Sequence, residues 1–215
     1  PQLRGGARQS YWFDRLRAER SNLRRALSWT LGGADVEVGL QLAGALCNFW
    51  YDEGQIGEGM RWTEQALARS AGAPAPLRAK LHDTAGELCF AQGAYERGRQ
   101  LTGQALQLYQ ALGDRANAAW CMAMLGAHAT AFPDAYEEGT AFGERGLAVL
   151  RDLNHRPGMA RALVVLGELA RLGGDDRRAR DAYEEALDLY HEMGDKRREG
   201  MVLSNLGHVA MRQGH

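Results

Sequence analysis

The stretch from Ala160 to Asp195 reads Ala-Arg-Ala-Leu-Val-Val-Leu-Gly-Glu-Leu-Ala-Arg-Leu-Gly-Gly-Asp-Asp-Arg-Arg-Ala-Arg-Asp-Ala-Tyr-Glu-Glu-Ala-Leu-Asp-Leu-Tyr-His-Glu-Met-Gly-Asp. Apolar residues recur every three or four positions, first at Leu163, Leu166, Leu169 and Ala170, then at Ala179, Ala182, Tyr183, Ala186 and Leu187. That is the period of one helix face, twice over. The spacing predicts a helix over Ala160–Leu172, a turn at Gly173-Gly174-Asp175, and a second helix over about 177–193. Small residues at fixed places let the two backbones approach closely, while Leu and Tyr fill the seam. A lone pair of this kind leaves apolar surface uncovered, so neighbouring pairs must stack on it.

The rest of the chain supplies those neighbours. Gln65-Ala66-Leu67, Gln104-Ala105-Leu106, Arg145-Gly146-Leu147 and Glu185-Ala186-Leu187 align, with intervals of 39, 41 and 40 residues between their middle members. Seven residues upstream stand Gly59, Gly98, Gly139 and Ala179. Turn glycines Gly54, Gly93 and Gly174 precede three of these, and Phe132-Pro133-Asp134 takes their place in the other. Helix ends echo one another as well. Gly113-Asp114 and Gly194-Asp195 each offer a residue tolerant of left-handed backbone followed by a helix cap, and Asn154-His155 stands in the same position.

Composition agrees with an all-helical chain. Val, Ile and Thr supply only 14 of 215 residues, and alanine alone supplies 34. The 26 basic and 27 acidic side chains leave a net charge of −1, without the footprint of a whole-chain nucleic-acid binder. No apolar run is long enough to span a membrane. Cys47, Cys89 and Cys121 have neither disulfide-framework nor zinc spacing, and a reducing cytoplasmic setting is expected. The chain opens on Pro1 rather than Met and reads as a piece of a longer protein.

Leu166-Gly167, Ala170, Gly174, Ala179, Tyr183 and Ala186 resemble the tetratricopeptide repeat, whose usual period is about 34. Leu125-Gly126 with Ala129, and Leu206-Gly207 with Ala210, fit the same frame. Ala85-Gly86 and Leu46-Cys47 depart from it. HEAT-type repeats match a period near 40 better but do not explain the Leu-Gly and Ala-Tyr-Ala placements. The expected fold is an all-α, right-handed solenoid of antiparallel helix pairs behind a long capping helix. Residues 1–33 form that linker and cap, and units follow over about 34–73, 74–115, 116–156, 157–196 and a truncated 197–215.

The resemblance implies a concave groove lined by the first helix of each pair. Its frame places Asn48 and Tyr51 there from the first unit, and Asp83, Glu87 and Phe90 from the second. Trp120 comes from the third, and Arg161, Glu168 and Arg171 from the fourth. Aromatic walls with a few converging charges suit a peptide, a protein segment or a small-molecule effector. For any one of these residues the alternative is ordinary packing or internal charge pairing.

Within residues 8–31, Trp12, Leu16, Leu23, Leu27 and Thr30 share one face of a long helix. Arg4, Arg8, Arg15, Arg17, Arg20, Arg24 and Arg25 against Asp14 and Glu19 give residues 1–30 a charge of +5. A solvated outer face of a cap accounts for that better than direct nucleic-acid contact. The string from Trp12 to Leu27, with Phe49-Trp50-Tyr51-Asp52-Glu53-Gly54-Gln55 and Gly59-Met60-Arg61-Trp62, resembles the junction and first repeat of large bacterial transcription regulators. These are signal-transduction ATPases of the Streptomyces-antibiotic-regulator and large ATP-binding LuxR types. The resemblance implies a C-terminal sensor or interaction region, with ATPase and DNA-binding domains upstream in the same chain.

Signals for chemistry are sparse. Gly54-Gln55-Ile56-Gly57-Glu58-Gly59 lacks the order and the preceding strand of a dinucleotide loop, and no phosphate loop is present. The six histidines show no metal-ligand spacing. Asp175-Asp176 and Glu184-Glu185 are neighbours that point apart on a helix, as surface charges do. The sequence therefore points to a non-catalytic module without cofactor or metal, sensing an effector or holding a partner. The alternatives are a free-standing scaffold or an oligomerisation domain, the latter through Leu203, Leu206 and Val209.

Overall fold

The structure is a computed structural model and describes residues 9–212. Arg4, Arg8, Gly214 and His215 lie outside the described residues. Twelve α-helices run through the described chain: α1 Gln9–Ala18, α2 Arg20–Trp29, α3 Val36–Ala45, α4 Cys47–Asp52, α5 Ile56–Ala68, α6 Ala75–Gln92, α7 Tyr95–Ala111, α8 Arg115–Ala129, α9 Tyr136–Asp152, α10 Arg156–Leu172, α11 Asp176–Met193 and α12 Lys196–Arg212. No strand occurs among the described residues. The helices form two compact units, divided in the chain between Asp114 and Arg115.

In the unit from Arg115 onward, α8 pairs with α9 and α10 with α11, while α12 packs on α11. First helices α8 and α10 are neighbours. Short turns reverse the chain between partners, so the paired helices run antiparallel. Gly167 sets the closest approach of one pair: a Cβ added there would meet the Tyr183 ring at 2.7 Å. Leu150, Leu163, Leu169, Tyr183 and Tyr190 are buried in the shared core. Only Val202 and Val209 of α12 are buried, as expected of a helix covered on one side.

The helix-end pattern holds in detail. Gly113, Asn154 and Gly194 take positive φ of 69°, 49° and 68°. Asp195 then accepts from the Arg198 amide at 3.2 Å, and Asp175 from the Arg178 amide at 3.0 Å. His155 caps α10 with its ring, Nδ1 accepting from the Gly158 amide at 3.1 Å. An imidazole nitrogen thus replaces the carboxylate found at the other caps.

The unit up to Asp114 pairs α6 with α7 and builds its first repeat from three shorter helices. Two expectations are corrected here. The long capping helix breaks at Glu19, where φ −92° and ψ 7° leave the helical range. That bend lets Phe13 stack on Phe49, with ring centroids 6.1 Å apart. Phe13 is buried and Trp12 only half-buried, so the apolar face is set one residue later than its periodicity suggested. The next helix is likewise interrupted at Leu46, with φ −85° and ψ 2°. Beyond the break, Phe49 and Trp50 turn inward, and Trp50 lies where a Gly59 side chain would otherwise stand.

Charge completes the docking of α1 and α2. Arg17 Nε donates to both Glu53 oxygens at 2.9 Å, and Arg20 Nη2 to Glu53 Oε2 at 3.1 Å. Arg24 makes a two-pronged contact with Glu58 at 2.7 and 2.6 Å. These hydrogen bonds hold the Glu53 and Glu58 carboxyls below their ordinary pKa. Three arginines of the basic segment are therefore directed at carboxylates of the first repeat.

Candidate functional site

In the first unit, Lys80, Asp83, Glu87 and Phe90 follow one another along one face of α6, three or four residues apart. Asp83 and Glu87 are only 1% and 3% exposed. Lys80 Nζ reaches Asp83 Oδ2 at 2.8 Å. From α4, Cys47 Sγ donates to Glu87 Oε2 at 3.6 Å. From α6, Thr84 Oγ1 donates to the Gly44 carbonyl of α3 at 3.3 Å. The two carboxylates thus lie at the junction of neighbouring first helices. Asn48 is half-buried and Tyr51 exposed on α4. Phe90, half-buried, packs its ring edge-to-face on Tyr95, with centroids 5.6 Å apart. Asn48, Tyr51 and Phe90 keep some solvent exposure, whereas Asp83 and Glu87 are buried.

In the second unit, Arg161, Val164, Glu168 and Arg171 share one face of α10. Arg161 Cζ lies over the Trp120 indole of α8, 3.8 Å from the ring centroid, a cation–π contact on a buried ring. Arg171 grips Glu168 with both prongs, Nε at 3.0 Å and Nη2 at 2.5 Å. The Tyr183 hydroxyl donates to the same carboxylate at 2.9 Å. Burial alone would raise the Glu168 pKa, and the hydrogen bonds from Arg171 and Tyr183 overcome it and hold the carboxyl low. Burial and the Glu168 charge push the Tyr183 phenol up. From α12, Arg212 donates to the Arg171 carbonyl at 2.8 Å.

The candidate residues are thus gathered as two separate constellations, each on the first helices of its own unit. Two members escaped the sequence reading. Tyr183 was expected only to fill the seam, yet its hydroxyl fixes Glu168 fifteen residues away. Cys47, read from its spacing only as neither a disulfide nor a zinc ligand, contacts Glu87. Periodicity could place both inside but could not say which polar atom each would meet.

Other groups fit structural roles. Burial lowers His128 to about 4 and keeps it neutral. Burial also raises the Cys89 thiol, the opposite of an activated thiolate. Among the described residues, no group of three or more His, Cys, Asp or Glu side chains could hold a metal ion. No described helix is long and apolar enough to cross a membrane.

Stacked antiparallel pairs, closely packed at first-helix glycines Gly86, Gly126 and Gly167, make this a tetratricopeptide-like helical repeat. Solved structures agree on the fold. BtubC (BKLC) from P. vanneervenii matches with a TM-score of 0.68 at 17% identity, over 94% of this chain and 84% of that one. The apo form of RapI matches with a TM-score of 0.71 at 15% identity, over 90% and 71%. A chain from Podosopora anserina, described as a kinesin light chain with nearly identical TPR-like repeats, matches at 0.56 and 14% identity, over 81% and 96%. The chain matches no protein-family model and no curated protein.

Proposed function

We propose that the chain is a non-catalytic recognition module that takes a peptide segment or small effector on its first-helix faces. The observation that carries this reading is the fixing of polar groups before any partner arrives. Arg161 is laid on Trp120, and Arg171 is locked to a Glu168 that Tyr183 also holds. Side chains already ordered lose little further freedom on binding. Tyr51 and Phe90 supply apolar contact in the first unit, with Asn48 beside them on α4.

The resemblance of residues 11–67 to large bacterial transcription regulators supports a finer reading. In it the module is cytoplasmic and senses an effector for ATPase and DNA-binding domains upstream in the same chain. A ligand would then act only through differing affinity for two arrangements of the repeats. The full open reading frame tests this directly: an upstream ATPase and winged helix are expected, and their absence would leave a free-standing scaffold.

Peptide display on the chain, followed by titration of the selected peptides, tests the recognition site. Tyr51→Ala, Phe90→Ala and Arg171→Ala should weaken binding about tenfold, the loss of one well-buried contact. Selected peptides indifferent to all three substitutions would refute the assignment. A thermal-shift screen of small organic acids and amines separates the effector reading from the peptide one.

A further inference from the structure

Two first helices of the second unit carry the same four residues at the same spacing. Leu163, Leu166, Gly167 and Ala170 of α10 recur as Leu203, Leu206, Gly207 and Ala210 of α12. Residues three and four apart share a helix face, so each set forms one patch. Their surroundings differ. On α10 both leucines and Ala170 are buried, and the Tyr183 ring of α11 stands where a Gly167 side chain would go. On α12 Leu203 is 54% exposed, and Leu206 and Ala210 are only half-buried. Nothing lies within 4 Å of the place a Gly207 side chain would take.

In the earlier repeats the corresponding hollow is always filled by a second helix. Thr102 of α7 closes on Gly86, Gly139 of α9 on Gly126, and Tyr183 of α11 on Gly167. The patch on α12 thus has the build of a helix-receiving face, and no described residue occupies it. Little charge borders it. Lys196 and Glu199, at the start of α12, pair with each other at 2.9 Å, and the His191 ring lies 3.7 Å from the same carboxylate. Arg198 and Arg212 are engaged by Asp195 and Asp176. Such a face selects an apolar partner rather than a charged one.

We infer that this face pairs two copies of the chain, α12 against α12, antiparallel about a two-fold axis beside Asn205. In that register, residues equally distant from Asn205 oppose one another. Leu203 of each copy then falls on Gly207 of the other, so both hollows receive a leucine, as a self-complementary interface requires. Gly200 stands opposite Ala210, where two small residues let the backbones approach closely. Antiparallel alignment also sets opposite ends of the two helix macrodipoles side by side. The gain is the apolar surface of Leu203 and Leu206 removed from water. One helix face per copy is a small interface, so the pairing is weak and depends on concentration.

The test is sedimentation equilibrium of the whole chain. Raising its concentration from about 5 to about 500 μM should take the weight-average mass from one chain toward two. Leu203→Glu and Gly207→Gln, both at exposed positions, should hold the mass at one chain throughout. Neither should lower the thermal midpoint of the dilute protein by more than about 2 °C. Met201→Glu, on the opposite side of α12, should leave the pairing unchanged. Cross-linking reads the register, because Cys47, Cys89 and Cys121 are buried. Under mild oxidation, Leu203→Cys mixed with Gly207→Cys should give several-fold more disulfide dimer than either variant alone. A chain that stays monomeric at the highest concentration overturns the inference, and binding of a peptide with the α11 sequence by that monomer would assign the face to a foreign helix instead. An equal loss of pairing in Met201→Glu, or a mixture that cross-links no better than its components, overturns it too.

Discussion

The guanidinium carbon of Arg161 sits over the indole of Trp120, 3.8 Å from the ring centroid, joining α10 to α8 in consecutive repeats. The ring is 4% exposed, so the contact is shielded from water where such attraction is strongest. A double-mutant cycle with Arg161→Met and Trp120→Leu should return a coupling of about 1 kcal/mol, read from urea unfolding. A coupling indistinguishable from zero would show that the two side chains are merely adjacent.

Two equivalent glycines should respond in opposite directions. Gly167→Ala drives a methyl to 2.7 Å from the Tyr183 ring, and should destabilise by about 2 kcal/mol. Gly207, one repeat on, has nothing within 4 Å of its Cβ position. Gly207→Ala should stabilise by roughly 0.5–1 kcal/mol through helix propensity. Urea midpoints of the two variants decide the matter.

Docking of α1 and α2 should depend on charge. Glu53→Gln should lower the thermal midpoint by a few degrees, and raising salt should shrink the difference between variant and parent. Hydrogen bonds lower the folded-state pKa values of Glu53 and Glu58. Their contribution is therefore present above the ordinary carboxyl pKa and is lost as pH falls through the folded value. Hydrogen exchange in α1 and α2 should rise in that acid range before exchange in α10 does.

His128 should impose a separate pH dependence at milder acidity. Its folded-state value is lowered from 6.5 to about 4 by burial. The unfolded chain then takes up a proton below pH 6.5 that the folded chain refuses until about pH 4. Stability should fall across that window by about 3 kcal/mol, and His128→Gln should flatten the limb. An unchanged profile in the variant would place the acid sensitivity elsewhere.

The local sequence determined the helices, their period and their ends. Leu-Gly and Ala-Tyr-Ala spacings are short-range facts, and a residue tolerant of positive φ at positions 113, 154 and 194 follows from the chain alone. So does the first-helix stripe, because residues three and four apart must share a face. The breaks at Glu19 and Leu46 carry neither proline nor glycine. They arise where Phe13, Phe49 and Trp50 find a common core, a competition among distant residues that no local signal records. Tertiary structure also decided the depth of the candidate residues. Asp83 and Glu87 share a face of α6 with Phe90, yet neighbouring helices bury the two carboxylates and leave Phe90 partly within reach of solvent. Periodicity gives direction around one helix, whereas burial depends on what stands opposite, and only the packed repeats supply that.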